Sequence, residues 1–150
     1  MTKLILREVT AEDVYQLFNW TNDKTVRENS FSVESIKWQD HLDWFNNKLN
    51  SDRSKIFILT QENDSIGQIR FDLIEDESWL INYSIDKNFR GSGYGSKIVE
   101  MAIKSFSNST KLTAKVKKSN LASARVFQKL GFNQIVTING DYVFQLNPDI

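Results

Sequence analysis

The chain contains no cysteine. That single absence removes disulfides, thiolate zinc sites and cysteine nucleophiles. It has one histidine, His41, so no cluster of imidazoles can hold a metal. Its one proline is Pro148, which carries no functional reading. An excess of charge of one sign is missing too. Nineteen Lys and Arg balance nineteen Asp and Glu, for a formal net charge of zero. Without a basic field, binding to a nucleic acid backbone is not expected. The N-terminal stretch MTKLILREVT holds three apolar residues between Lys3 and Arg7, too few for a signal peptide or a membrane span. The expectation is a cytoplasmic protein with no membrane or nucleic acid partner.

What is present fits one domain over residues 1–150. The chain is 40% hydrophobic and 25% charged, ordinary values for a globular core of this size. No repeat, low-complexity tract or linker interrupts it. LILREV reads as a strand, and Thr10 caps a helix from Ala11 with Asp13 at its positive end. Trp20 to Ser32 reads as a loop or broken helix, and Ser35 to Leu49 as a helix with an apolar stripe. KIFILTQ and IGQIRFDLI form a hairpin around residues 62–65, followed by the strand WLINYSID. The acidic run Glu75, Asp76, Glu77 reads as a hairpin tip. A glycine turn then leads into a helix from Tyr94 to Phe106. KLTAKVK alternates as a half-buried strand does, and LASARVFQKL is a helix ended by Gly131. FNQIVTI and YVFQLN close the chain as a hairpin across Asn139, Gly140 and Asp141. Strands and helices are mixed, so the fold class is α+β, with a mixed, mostly antiparallel twisted sheet flanked by about four helices.

Glycine is scarce as well. Three of the six glycines sit in FRGSGYGSKIVE, as Gly91, Gly93 and Gly95. The dinucleotide fingerprint fails there, because Ser96 stands where its third glycine belongs. The ATP-binding P-loop fails at the same residue and again at Ile98. What remains is R-x-x-G-x-G between a strand and a helix. Glycines let an anion approach the backbone, the N–H groups at a helix start favour negative charge, and Arg90 adds a fork suited to phosphate. A plain tight turn is the alternative.

Further on stands NLASARVFQKLGF. Together the two segments resemble the GNAT superfamily of acetyl-CoA-dependent N-acetyltransferases. R-x-x-G-x-G matches its acyl-CoA motif. Asn120, Ser123, Phe127, Gly131 and Phe132 match its later segment, and the order of elements agrees throughout. The resemblance implies that acetyl-CoA is the cofactor. Tyr83, Ser84 and Ile85 would offer backbone hydrogen bonds to the pantetheine arm. Backbone N–H groups of Arg90, Gly91, Ser92, Gly93, Tyr94, Gly95 and Ser96 would seat the pyrophosphate. Asn120 and Phe127 would line the arm. Direct attack by an amine on the thioester, with a strand N–H facing the oxyanion, needs no cysteine.

Two departures stand out. Many members carry a tyrosine at the position of Phe127 to protonate the departing thiolate, which phenylalanine cannot do. Tyr83, Tyr94 and Tyr142 are the other phenols. Some peptide-acetylating members carry a glutamate base where Lys115 stands. Tyr83, Asn120 and His41 are therefore the candidate catalytic residues. An amino group on a sugar is less basic than a lysine, whose pKa is about 10.4, and needs less help from a base.

In this fold the acceptor is chosen mainly by the first helices. Their pattern here, W-x-N-D-x-x-V-R with a later W-x-x-H-x-x-W-F and GQIRFD, looks like GNAT proteins that acetylate nucleotide-linked amino sugars. Arg27 is the candidate for a substrate phosphate, and His41 for the sugar or for a base. Trp38 or Trp44 would stack on a ring or pack in the core. Arg70 and Asp72 alternate with Ile69, Phe71 and Leu73, so one side of that strand is polar and faces either the acceptor or solvent. KVKKS either helps hold phosphates or is a solvated strand end. The acceptor expected is a small amine, most of all a nucleotide amino sugar, acted on by a monomer or homodimer. The alternatives are a peptide or ribosomal-protein N-terminal acetyltransferase and a non-catalytic acyl-CoA sensor.

Overall fold

The computed structural model describes residues 3–75 and 77–148. Asp76, the centre of the expected acidic tip, lies outside the described residues. The chain runs β1 (Leu4–Glu8), α1 (Val14–Thr21), α2 (Lys24–Asn29), α3 (Trp38–Leu49), β2 (Ser54–Gln61), β3 (Asp64–Leu73) and β4 (Trp79–Ile85). It continues with α4 (Tyr94–Ile103), β5 (Leu112–Val116), α5 (Leu121–Lys129), β6 (Asn133–Ile138) and β7 (Asp141–Leu146). The strands form one sheet in the order β1-β2-β3-β4-β5-β7-β6. Every neighbouring pair is antiparallel except β4 and β5. The expected α+β class and mostly antiparallel sheet are what the chain forms, with five α-helices among the described residues where about four were expected.

The strands separate two cores by alternation. Ile56 and Ile58 of β2 pack with Leu17, Trp20 and Phe45 of α1 and α3. Leu59, Ile69, Phe71 and Ile81 face the other way, onto Ile98, Val99 and Ala102 of α4 and onto Phe127 of α5. Phe71, Phe127 and Phe144 are fully buried, each stabilising the fold by about 1.5–3 kcal/mol through burial.

Several boundaries moved, each for a local reason. The α1 segment begins with a tight turn at Ala11–Asp13, where the Asp13 carboxylate accepts the Thr10 N–H at 2.8 Å and binds Arg7 at 2.7 Å. The broken helix resolves as α1 and α2, with Asp23 capping the second by accepting the Val26 N–H at 3.1 Å. The next helix starts at Trp38, not Ser35. The Asn22 side chain donates to the Ile36 carbonyl at 2.9 Å and accepts its N–H at 2.7 Å, which holds that stretch extended. α4 ends at Ile103, where the Ser105 hydroxyl takes the Ala102 carbonyl at 2.6 Å and competes with the helix. The hairpin turns are shorter than expected. Gln61 pairs with Asp64 and Ile138 with Asp141, so Asn139 and Gly140 alone make the last turn, both at positive φ, as a two-residue hairpin requires.

One feature of the sheet positions everything below. β3 pairs with β4 along its whole length, from Trp79 to Ile85. β5 pairs with β4 only from Trp79 to Ile81. From Asn82 onward the parallel pair has parted, and β4 has an unpaired edge inside its own sheet.

Candidate active site

A cavity of about 490 Å³ occupies that parting. β4 from Ile81 to Ile85 forms one wall, and Lys115 and Val116 of β5 the opposite one. The glycine turn and the first turns of α4 and α5 close one side, and Thr25, Val26, Asn29, Ser30 and Phe31 the other. Gly91 and Gly93 have φ of +80° and +84°, with nothing within 4 Å of where a Cβ would stand. The turn thus opens onto free space, and its left-handed backbone calls for glycine. Gly93 caps α4. The N–H groups of Tyr94, Gly95 and Ser96 have no intrahelical acceptor, and no described hydrogen bond takes them. The positive end of α4 therefore points bare donors at the cavity, an arrangement suited to phosphate.

α2 is tied to both banks of this gap. At its start, Asp23 accepts Arg90 Nη2 at 2.8 Å. Near its end, Lys117 Nζ donates to the Glu28 carbonyl at 2.9 Å. Burial works to raise the Asp23 carboxyl, but the Arg90 and Val26 hydrogen bonds outweigh it and hold the group below its ordinary range.

A second cavity, of about 350 Å³, lies on the α1–α3 face. Trp20, Arg27, Asp40, His41, Trp44, Gln68 and Arg70 line it. Val26, Ser30, Asn82 and Ser84 line both cavities, so the two meet at the parted edge of β4. Gln68 fixes that junction: its Nε2 donates to Asn82 Oδ1 at 3.1 Å and to Ser84 Oγ at 3.2 Å.

A family model described as an acetyltransferase (GNAT) domain matches residues 3–133. The chain belongs to the GNAT acetyltransferase family. Solved structures agree on the fold. A spermidine N-acetyltransferase from Vibrio cholerae, in complex with CoA and spermine, superposes with a TM-score of 0.80 at 16% identity, over 95% of this chain and 92% of that one. A ribosomal-protein α-N-acetyltransferase in complex with CoA gives 0.83 at 18%, over 99% and 96%. An aminoglycoside acetyltransferase in complex with CoA gives 0.81 at 19%, over 97% and 95%. No curated protein sequence matches the chain.

In this acetyltransferase, Tyr83, Ser84, Ile85, Arg90, Gly91, Gly93, Tyr94, Gly95, Ser96, Asn120 and Phe127 all line the first cavity. Ser92, expected with them, does not. The Arg90 fork also departs from expectation. Its Nε donates to the Ile85 carbonyl at 3.0 Å and its Nη2 to Asp23, so the turn's backbone faces the cavity while the guanidinium braces it. Asn120 caps α5, its Oδ1 accepting the Ser123 N–H at 3.2 Å. Phe127 is 2% exposed and packs among Phe132, Phe144 and the Tyr83 ring. The Tyr83 hydroxyl donates to Ser123 Oγ at 3.1 Å. Burial raises the Tyr83 pKa and outweighs the opposing Ser123 bond. Tyr94 reaches Gln61 Oε1 at 3.3 Å, and Tyr142 packs against the larger core.

The residues expected on the acceptor side divide. Arg70 lines the second cavity with its guanidinium 5.0 Å from the Trp44 ring centre. Asp72 stands behind it, accepting Arg70 Nε at 2.8 Å, Lys48 Nζ at 2.8 Å and Ser54 Oγ at 2.6 Å. Burial favours the neutral Asp72 acid, yet these partners prevail and its pKa falls. Arg27 lines the cavity, but its fork is not open to a phosphate as expected. It donates to the carbonyls of Thr21 (2.7 Å), Ser32 (2.9 Å) and Glu34 (3.0 Å) and to Ser30 Oγ (3.1 Å), clamping the loop after α2. His41 is 2% exposed, with Phe18, Trp38, Trp44 and Phe45 around it. Its Nε2 lies 3.0 Å from the Val14 carbonyl. A carbonyl only accepts, so Nε2 carries the proton and Nδ1 does not. Burial lowers the His41 pKa against that hydrogen bond. Trp38 sits outside both cavities on Tyr15 and Phe18, while Trp44 faces the second.

Trp20 and Gln68 stand in the W-x-N-D and GQIRFD patterns without a role assigned from the sequence, and Asn82 was not singled out. Period-two alternation reaches two of them: Gln68 shares a face with Arg70 and Asp72, as Asn82 does with Ser84. Trp20 is fixed by a distant partner, its Nε1 donating to Asp86 at 2.9 Å.

Proposed function

We propose that this GNAT domain transfers the acetyl group of acetyl-CoA to the amine of a nucleotide-linked amino sugar. The observation that carries the acceptor class is the charge of the second cavity. Its charged lining residues are two arginines, Arg27 and Arg70, and one carboxylate, Asp40. His41 adds no charge near neutrality, since burial lowers its pKa. Such a wall repels a polycation such as a polyamine or an aminoglycoside. It suits an acceptor with one amine, hydroxyls for Gln68 and Asn82, and a flat ring for Trp20 or Trp44.

The chain's own groups then have defined tasks. The bare N–H groups at the start of α4 seat the pyrophosphate. The unpaired edge of β4 from Asn82 to Ile85 hydrogen-bonds the pantetheine arm as a missing strand would, and one of its N–H groups faces the developing oxyanion. Asn82 and Ser84, at the junction of the cavities, orient the amine toward the thioester. His41 offers Nδ1 as an acceptor on the sugar side. The setting is the cytoplasm, where both substrates are made.

Turnover of acetyl-CoA against a panel tests this. A nucleotide-linked amino sugar is expected to exceed spermidine, kanamycin and an N-terminal peptide by at least about 100-fold in kcat/KM, which is about 2.7 kcal/mol of discrimination. A polyamine or peptide as the best acceptor overturns the proposal. So does CoA binding without transfer to any member of the panel.

A further inference from the structure

Four cations line the two cavities: Arg27, Arg70, Arg90 and Lys115. Three are engaged, Arg27 by carbonyls, Arg70 by Asp72 and Arg90 by Asp23. Among the described residues Lys115 has no hydrogen-bond or ion-pair partner, and no carboxylate among them lines its cavity. The neighbouring lysines point elsewhere: Lys117 meets the Glu28 carbonyl at 2.9 Å, and Lys118 lies over the Gly140 turn. Alternation gives the direction of Lys115. Leu112, Ala114 and Val116 of β5 belong to the larger core, so Lys115 leaves the opposite face of the sheet. On β4, Ile81 and Tyr83 pack in that core, which puts Asn82 and Ser84 on the Lys115 side. Ile81 and Ala114 are the last pair of β4 with β5, so Asn82 and Lys115 are the first residues past the parting. The glycine turn leads into α4, which packs on the core face. Lys115 is therefore turned toward the face of the second cavity and away from the turn. Just past α2 stands Phe31, 58% exposed, which lines the first cavity with Lys115. Arg27 clamps its loop through the Ser32 and Glu34 carbonyls, so an open ring sits on a braced backbone.

We infer that Lys115 and Phe31 form the seat of a nucleoside diphosphate, the carrier half of the acceptor. The assignment rests on the amino-sugar reading above. The second cavity, of about 350 Å³, stands at the small end for a ligand pocket and takes the sugar ring beside Gln68, Asn82 and Trp44. The carrier needs room of its own. Lys115 supplies a point charge for its phosphates, and Phe31 a flat apolar ring for its base. The protein then has two phosphate seats of different make on opposite faces of the sheet. Backbone N–H groups at the start of α4 serve CoA, and a side-chain ammonium on β5 serves the acceptor. The same ammonium repels a polyamine or the amino end of a peptide, so one residue both attracts the right acceptor and turns away wrong ones.

The test uses the full chain saturated with acetyl-CoA, so that the cofactor site is filled. UDP, GDP, CDP and dTDP are titrated by calorimetry. At least one is expected to bind the wild type, and Lys115→Ala to bind it roughly 10- to 100-fold more weakly, the range for a hydrogen bond to a charged group. Lys115→Arg, which keeps the charge, is expected to recover most of the affinity, and Phe31→Ala to lose about tenfold. In turnover, Lys115→Ala is expected to raise KM for the nucleotide-linked amino sugar by the same factor as in binding. Its effects on the free amino sugar and on KM for acetyl-CoA are expected to stay within about threefold. Nucleoside diphosphates that do not bind, or that bind Lys115→Ala as well as wild type, overturn the seat. So does a KM effect that falls on acetyl-CoA, or equally on both acceptors. Diphosphate binding that depends on Lys115, without turnover of any nucleotide-linked amino sugar, upholds the seat and overturns the acceptor reading, so the two failures are told apart.

Discussion

The two cavities that meet at Asn82 and Ser84 are built on opposite plans. On the proposed reading the cofactor bank is made of backbone: a left-handed glycine turn, the bare start of α4 and the unpaired edge of β4. Its polar side chains mostly brace, as Arg90 and Asn120 do. The proposed acceptor bank is made of side chains from six elements, α1, α2, α3, β2, β3 and β4, held by one another. Backbone recognition tolerates drift in side chains but not in glycines. Side-chain recognition has the reverse sensitivity, and allows the acceptor to differ among domains sharing this fold.

That contrast breaks if glycine changes disturb the acceptor or acceptor changes disturb the cofactor. The largest effect is expected at Gly93. Gly93→Val puts a β-branched residue at φ +84°, a strain of about 1–3 kcal/mol, and fills the turn. KM for acetyl-CoA should rise on the order of 100-fold, and the thermal shift given by acetyl-CoA, worth about 2.7 kcal/mol at a hundred times Kd, should vanish. KM for the acceptor should hold. Gly67→Ala comes next and should hurt both banks, because a Cβ there would lie 2.5 Å from the Ser84 carbonyl oxygen and 2.8 Å from Ile85 Cδ1. β3 and β4 must separate at their shared junction, costing about 1–3 kcal/mol by urea unfolding and raising both KM values. A change in only one of them would show that the banks do not share β4 as a rigid wall.

Asp72→Asn sharpens the contrast from the other side. It removes the charge that fixes Arg70 and Lys48. The acceptor KM should rise roughly tenfold, the effect of about 1.4 kcal/mol, with KM for acetyl-CoA unmoved. The smallest effect is outside both banks. The Arg7 hydrogen bond, against burial, holds the Asp13 pKa below its ordinary value. Its contribution is full above the unfolded carboxylate value near 3.9 and is lost as pH falls through the lower folded value. Asp13→Asn should therefore flatten the stability profile below about pH 4 by no more than about 1 kcal/mol, leaving both KM values at neutral pH alone.

The same contrast governs what could be read from sequence. The glycine turn and the α5 segment are contiguous, so their spacing was open to inspection, and eleven of the twelve expected cofactor contacts line one cavity. The strands declared themselves by alternation. What stayed hidden was fixed by partners far along the chain. Arg90 is turned by Asp23, 67 residues away. α3 starts late because of Asn22, 14 residues before Ile36. Arg27 reads as a phosphate ligand until the carbonyls that take its fork are in view. Gln68 gains its role only when β3 and β4 are set in register.

The parted pair β4 and β5 has a consequence beyond catalysis. A protein that keeps a strand edge open in the middle of its sheet carries the hazard that edge strands usually bring, an invitation to pair with another chain. Here the hazard is roofed by a single short helix, pinned by Asp23 to one bank and by Lys117 to the other. On the proposed reading acetyl-CoA is also a stopper, and preparations of the empty protein are the ones that should clump on storage.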